Sequence, residues 1–377
     1  MRKVLVTGAA GFLGSHLTDS LLERGYEVIG VDNLSNGNMR NLSVAQTCER
    51  FQFHEVDVRD ESKLRRVSTG VDTIIHLAAF KIPRYGGAVE TLMINSQGTI
   101  HALTIAKELN ARFVITSTSD VYGKNPKLPF SEDDDSVLGP PTVARWAYAA
   151  SKLFDEHLVL ATASESGLNA TVLRIFGSYG PRQHLSWWGG PQSVFIDSAL
   201  RGEPMPIHGD GQQTRSFTFV KDTARGILLA AEATHVGGEL INIGGNREIT
   251  ILELAEKIRR MCGRGVGEGT RLQPYDSISN RKYEDVRRRV PDTEKAKRLL
   301  GFEAKYSLEE GLAETIAWQK AIRASLAAEG ERSGEAGVVE DVLTARGGEF
   351  QNLQGEGPPD VGGPSPCRDL STRSEPN

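Results

Sequence analysis

The chain has 377 residues, of which 39% are hydrophobic and 25% charged, and a formal net charge of −5. That is the composition of a soluble globular protein, large enough for one sizeable α/β domain and a smaller one. Mild acidity excludes a general attraction to nucleic acid or to an anionic membrane, no apolar run is long enough to span a bilayer, and an anionic ligand has to be met by local arginines.

Met1-Arg2-Lys3 leads directly into an apolar run, which predicts a cytoplasmic protein. Cys48, Cys262 and Cys367 are odd in number and lack metal-ligand spacing, so no metal site is expected. Val4-Leu5-Val6-Thr7 reads as a buried parallel strand, and a helical pattern follows with Phe12, Leu13, His16, Leu17, Ser20 and Leu21 at three-and-four spacing. Between them, Gly8, Gly11 and Gly14 permit a tight turn, close approach of backbone to a pyrophosphate, and close packing of helix on strand. The exposed N–H groups and positive dipole end of that helix favour the same phosphates.

Glu27 to Asp32 is a second strand ending in an acid. Asp32 there either accepts from adenosine ribose hydroxyls, repelling a 2′-phosphate and so favouring NAD over NADP, or caps the loop from Asn33 to Asn38. Further strands are predicted at Phe51 to Val56, Asp72 to His76, Arg112 to Thr116 and Ala170 to Ile175, with Asp57-Val58 placed to border the adenine. Helices over Leu92 to Leu109 and Ala144 to about Ser164 alternate with them. Such alternation implies an α/β fold of the Rossmann type, a doubly wound parallel sheet with right-handed crossovers.

From Phe176 the alternation loosens, with loops at Gly180-Pro181, Trp187 to Pro191 and His208 to Gly211. Helices are predicted at Gln192 to Leu200, Lys221 to Ala233, Leu252 to Met261, Thr293 to Leu300 and Leu308 to Ala327. The expected organisation is a cofactor-binding domain over 1–175, to which 216–243 returns, and a smaller mixed α/β substrate lobe over 176–326. A disordered tail is expected over 327–377, with a brief helical turn from Val338 to Leu343.

Tyr148 and Lys152 in Tyr-Ala-Ala-Ser-Lys lie four apart on one helix face. A phenol is a poor base at neutral pH, but a neighbouring ammonium and a positively charged nicotinamide both favour the phenolate. Such a pair is also common on helix surfaces. Thr118, in Thr116-Ser117-Thr118-Ser119-Asp120, follows a sheet strand at its carboxyl end, where open parallel sheets bind ligands, and can orient a sugar hydroxyl for Tyr148. The bland alternative is a Ser/Thr turn closing the strand.

Thr7-Gly-x-x-Gly-x-x-Gly14, Asp32-Asn33, Asp57-Val58, His76-Leu77-Ala78-Ala79, Asn95, Thr118, Tyr148-x-x-x-Lys152 and Leu173-Arg174 together resemble an extended short-chain dehydrogenase/reductase. More narrowly they are similar to the NAD-dependent nucleotide-sugar epimerase/dehydratase family, over roughly residues 1 to 325. The resemblance implies Tyr148 as base, Lys152 on the ribose and tuning that base, and Thr118 on the substrate hydroxyl. It implies NAD contacts from Gly8, Gly11, Phe12, Leu13, Gly14, Asp32, Asn33, Asp57, Val58, Leu77, Ala78, Ala79, Lys81, Asn95, Tyr148 and Lys152. Arg215 and Arg289 resemble diphosphate-binding arginines, which suits the bidentate geometry of guanidinium, and Asp292 a ribose-binding acid. Without the family, Arg287-Arg288-Arg289 reads as a solvated basic run. Ser119, Asp120, Tyr148 and Arg182 complete the expected substrate contacts. A homodimer through the helices around 92–109 and 144–164 is implied by resemblance alone.

Family members begin alike, with NAD taking hydride from C4 of the sugar while the tyrosine takes the hydroxyl proton. Resembling 4,6-dehydratases carry Asp-Glu after the threonine; Ser119-Asp120 here speaks against dehydration. UDP-glucuronate decarboxylases carry Ser-Glu there, and Arg145-Trp146 ahead of Tyr148 is similar to bacterial members of that group. Uronate 4-epimerases resemble Gly180-Pro181-Arg182-Gln183 but continue with arginine where this chain has His184. Arg182 or a partly protonated His184 is the expected substitute. Trp187-Trp188 either walls the sugar or packs the loop. The sequence thus points first to a UDP-sugar 4-epimerase acting on UDP-glucuronate, next to UDP-glucuronate decarboxylase, and last to a non-catalytic NAD-binding protein.

Overall fold

The structure, a computed structural model, describes residues 2–81, 87–264, 269–275 and 284–333. Lys3–Thr7 (β1), Glu27–Asp32 (β2), Phe51–Glu55 (β3), Thr73–His76 (β4), Arg112–Thr118 (β5), Ala170–Ile175 (β6) and Leu240–Ile243 (β11) form one sheet. Its order is β11-β6-β5-β4-β1-β2-β3, and every pairing is parallel. Strands covered on both faces carry continuous aliphatic runs, and Leu5, Val6, Ile74, Ile75, Phe113 and Val114 are all fully buried. Each such side chain contributes roughly 1.5–3 kcal/mol of apolar burial. β3, at the edge, is partly exposed along its length.

Helices cover both faces. Phe12–Glu23 (α1) packs with Val220–Glu232 (α6) and Glu294–Leu300 (α8) on one side, around Leu17, Leu21, Ile227 and Phe302. Glu61–Val67 (α2), Ala88–Leu109 (α3) and Trp146–Ser166 (α4) enclose the other, around Leu64, Ala102, Ile105 and Val159. α3 begins a turn earlier than periodicity predicts, because Val89 and Glu90 are exposed and leave no apolar pattern. β5 runs two residues past the expected Thr116, since Ser117 and Thr118 pair with Arg174 and Ile175.

The second lobe carries three two-stranded sheets: Ser178–Tyr179 (β7) with Thr218–Phe219 (β10), Met205–His208 (β8) with Thr270–Gln273 (β13), and Thr214–Ser216 (β9) with Glu248–Thr250 (β12). These strands are too short to show a sequence period, so the chain predicts only a mixed lobe there. Pro191–Arg201 (α5), Ile251–Met261 (α7) and Leu308–Ser333 (α9) pack over them around Phe195, Ile207, Leu254 and Leu312. α7 starts at a capping box in which Thr250 Oγ1 accepts from Glu253 N at 3.0 Å and Glu253 accepts from Thr250 N at 2.9 Å. α9 continues to Ser333, six residues beyond Ala327, because Ala328 and Glu329 are helix formers and composition alone marked this stretch as tail. The expected turn from Val338 to Leu343 lies outside the described residues. Among the described residues no helix is long and apolar enough to cross a membrane, and no cluster of metal ligands occurs.

Candidate active site

The carboxyl ends of β1, β2, β3 and β4 bring the expected dinucleotide residues to one edge. Gly8 has φ of +71°, and a Cβ there would lie 2.9 Å from Ala78 N. A Cβ on Gly14 would lie 2.0 Å from Gly8 O, so the first turn of α1 touches the strand exit only because position 14 is bare. Gly11 caps α1 with no side-chain bond, which leaves the first-turn N–H groups to an anion. Thr7 Oγ1 accepts from Leu77 N at 3.1 Å and Ala78 N at 3.2 Å, holding the loop through Ala79 against that turn.

Asp32 takes the loop-capping role and keeps acceptor capacity besides. Its carboxylate accepts from Ala10 N at 3.1 Å and Leu34 N at 2.8 Å, with lone pairs left for a ribose diol. Burial raises its pKa, against these backbone bonds. Asn33 donates to Asp57 at 3.0 Å, and Arg59 grips Asp57 through both oxygens at 2.9 and 2.7 Å, holding that carboxyl well below the usual range. Val58 is buried beneath α3, where a Cβ on Gly98 would meet it at 2.7 Å. Asn95 is engaged in bracing: its amide bonds Phe80 N at 2.8 Å, Phe80 O at 3.2 Å and Ser151 Oγ at 2.9 Å. Lys81 is exposed beside His184. Phe12 and Leu13 reach from the glycine turn into the apolar core of the second lobe. The bare turn, the open helix end and the acid at the tip of β2 fit a dinucleotide, and the cofactor is NAD.

At the far end of β5, Thr118 caps a turn of 3-10 helix, Ser119–Tyr122, accepting from Asp120 N at 3.2 Å. Ser119 is buried in that turn. Tyr148, in the first turn of α4, has the Thr118 side chain beside its phenol. Burial pushes that phenol well up, the Asp120 carboxylate pushes it further, and Thr118 opposes both. The ammonium expected to favour the phenolate has a partner of its own: Lys152 Nζ donates to Asp155 at 2.9 Å, and both side chains are buried.

Asp120 opens a cluster of five charges. Arg289 lies 2.7 Å and Arg145 3.3 Å from its Oδ1. Arg145 and Arg215 both donate to Asp285 Oδ1 at 2.9 Å. Burial opposes ionisation of Asp120, but Arg289, Arg145 and Arg215 bring its pKa down to about 2. The same arginines, Arg215 foremost, overcome burial to hold Asp285 far below the carboxylate range. Three cations against two anions leave one positive charge over for a diphosphate. Arg145 was visible in sequence only as a likeness, and Asp285 was missed because its acid stands in a run dominated by arginine. The three arginines of that run separate: exposed Arg287 pairs with Asp210, exposed Arg288 with Glu248, and half-buried Arg289 turns to Asp120.

Other expected contacts fall outside this cluster. Arg182, at φ +65°, lies 2.7 Å from Asp19 of α1, and neighbouring Pro181 O contacts His16 Nε2 at 3.0 Å. His184 accepts from Ser186 N at 3.1 Å, and burial, then Lys81, lower its pKa. Both influences disfavour the cation that a partly protonated His184 requires. Asp292 Oδ1 accepts from Glu294 N at 2.9 Å and its main chain bonds Phe130, so it also serves the start of α8. Trp187 stacks on His208 with centroids 4.0 Å apart, inside the second lobe, whereas Trp188 meets Phe80 edge-on at 5.3 Å.

The family model described as GDP-mannose 4,6 dehydratase matches residues 5–315. A UDP-N-acetyl-alpha-D-glucosaminuronate decarboxylase of Bacillus cytotoxicus is 34% identical over 325 residues, 85% of this chain and 98% of its own length. A UDP-glucuronic acid decarboxylase 1 of Xenopus tropicalis is 37% identical over 320 residues, 84% of this chain and 71% of the relative. Among solved structures, UDP-glucuronic acid 4-epimerase of Bacillus cereus, in complex with UDP-glucuronic acid and NAD, aligns with a TM-score of 0.75 at 30% identity, over 85% of this chain and 99% of that one. With the glycine turn, the Tyr148–Lys152 helix and the arginine cluster in place, the chain belongs to the GDP-mannose 4,6-dehydratase family, among the NAD-dependent nucleotide-sugar epimerases and dehydratases of the extended short-chain dehydrogenase/reductase type.

Proposed function

We propose that the chain is an NAD-dependent decarboxylase of a UDP-linked hexuronate. When bound, NAD supplies the hydride acceptor at C4 of the sugar. Tyr148, within reach of Thr118, takes the O4 proton, and Thr118 orients that oxygen. The resulting C4 ketone with its C5 carboxylate is a β-keto acid. Loss of CO2 moves the bonding pair into an enolate whose charge settles on O4, within reach of the phenol of Tyr148 and the hydroxyl of Thr118; a proton from solvent at C5, return of the hydride to C4 and return of the Tyr148 proton to O4 then give the pentose. Arg215 and Arg289 hold the diphosphate, and residues 176–326 carry the sugar end.

Positions 182 and 184 support decarboxylation over 4-epimerisation, the sequence's first choice. An epimerase has to grip the C5 carboxylate so that it cannot leave. Here Arg182 is paired with Asp19, and burial disfavours the cationic form of His184. The decarboxylase names of several relatives add support. Incubation with NAD and either UDP-glucuronate or its 2-acetamido counterpart, followed by sugar-proton NMR, tests the proposal. A pentose product with release of CO2 is expected, and a C4-inverted hexuronate would return the assignment to epimerase. Tyr148→Phe should retain NAD and lose turnover by roughly 10²–10⁴-fold.

We also infer a homodimer across α3 and α4, whose Leu92, Met93, Ile100 and Phe154 are exposed apolar side chains. Light scattering at micromolar concentration tests it, with a monomer mass as the contrary result.

A further inference from the structure

Asp155 has no part in the motifs above, yet it sits behind the catalytic pair. On α4 it follows Lys152 by three residues, so both carboxylate and ammonium lie on the inner face, 2.9 Å apart, with side chains 1% and 3% exposed. Its second oxygen, Asp155 Oδ1, is buried with no hydrogen-bond partner. We propose that Asp155 is a positioning residue that cancels the charge of Lys152 as felt by Tyr148, so that Tyr148 becomes a base only when the oxidised, positively charged nicotinamide lies against it. The proton of Tyr148 then follows the redox state of the cofactor. It leaves while the ring is cationic and is available to O4 once hydride transfer has neutralised the ring.

The other charged groups around the pair do not supply the missing field. On the turn after β5, Asp120 disfavours the phenolate and is itself matched by Arg289 and Arg145, with Arg215 and Asp285 behind. On α4, Glu156 is taken by Arg174 of β6 at 2.7 Å. On β4, His76 is buried, and its pKa is lowered to about 3 by burial and then by Lys152. Asp155 adds to the forces that hold the proton on Tyr148.

This inference rests on Tyr148 as base and on NAD as cofactor, not on which sugar reacts. The test is a pH titration of the phenolate absorbance of the full chain with saturating NAD, with the Tyr148→Phe spectrum subtracted. It needs no sugar, so absence of decarboxylation leaves it intact. Lys152→Met should raise the midpoint by about one pH unit, because Asp155 is then unopposed. Asp155→Asn should lower it by about as much, and Asp155→Glu should restore it. The double variant Lys152→Met/Asp155→Asn buries no charge at this place, and its midpoint should return to within about half a unit of the parent. The double variant also answers where Asp155→Asn does not fold. A double variant displaced as far as Lys152→Met alone, or a parent midpoint equal with NAD and NADH, would overturn the inference.

Discussion

Arg182 and Asp19 form an ion pair of 2.7 Å between the loop after β7 and helix α1, the helix that starts at the glycine turn. The guanidinium that sequence offers to a sugar carboxylate is thereby spent on joining the second lobe to the cofactor helix. Replacing His184 by arginine should supply the missing grip. His184→Arg is expected to raise the fraction of C4-inverted hexuronate at the expense of pentose, measured by NMR of the product mixture. An unchanged ratio in a folded variant would remove position 184 from product control.

Arg145 shares itself between Asp120 and Asp285 and packs 5.4 Å over the ring of Trp146. Arg145→Met keeps the length of the stem but leaves two half-buried carboxylates with fewer cations. With each charged hydrogen bond worth about 1.5–3 kcal/mol, kcat/KM should fall roughly ten- to hundredfold. Arg287→Ala, which removes an exposed pair with Asp210, should change it less than about twofold.

His76 is 1% exposed, and its Nδ1 lies 2.8 Å from Thr7 Oγ1, so the folded chain keeps the ring neutral. Its pKa falls from 6.5 to about 3. The neutral form is the one the fold favours, so this group's contribution is complete above pH 6.5 and lost as pH falls from there towards 3. Urea midpoints measured between pH 7 and 4 should show stability declining with acid by up to ~1.4 kcal/mol per pH unit from this group. His76→Asn should flatten that slope by about one proton. Asp120, with a pKa of about 2, has the same sign of proton bookkeeping at lower pH: its contribution is present above the normal carboxylate value and lost towards pH 2.

Glu156 binds Arg174 through both oxygens at 3.0 and 2.7 Å and accepts from Ser117 at 2.5 Å, while Arg174 lies 4.5 Å over the ring of Tyr122. This buried network fastens the catalytic helix to β5 and β6, one residue from Thr118. Glu156→Gln leaves a buried guanidinium without its counter-charge and should cost about 3–5 kcal/mol, read from the urea midpoint. Glu156→Asp should recover part of the loss if the charge matters more than the reach.

The chain alone determined what depends on local pattern. Val4–Thr7 with Gly8, Gly11 and Gly14 specified the first strand, its turn and the helix, because steric exclusion at three bare positions is a property of the residues themselves. Tyr148 and Lys152 shared a face because four residues are about one turn. What the tertiary structure decided is which charge meets which. Arg289 and Arg287 stand two apart in one basic run, yet one is half-buried on Asp120 and the other exposed on Asp210. Arg182 turned to Asp19, and Lys152 took Asp155. Ion pairing and burial depend on distances across the fold, and partners 70 or 140 residues apart, such as Arg215 and Arg145 on Asp285, leave no period in the sequence for any local rule to detect.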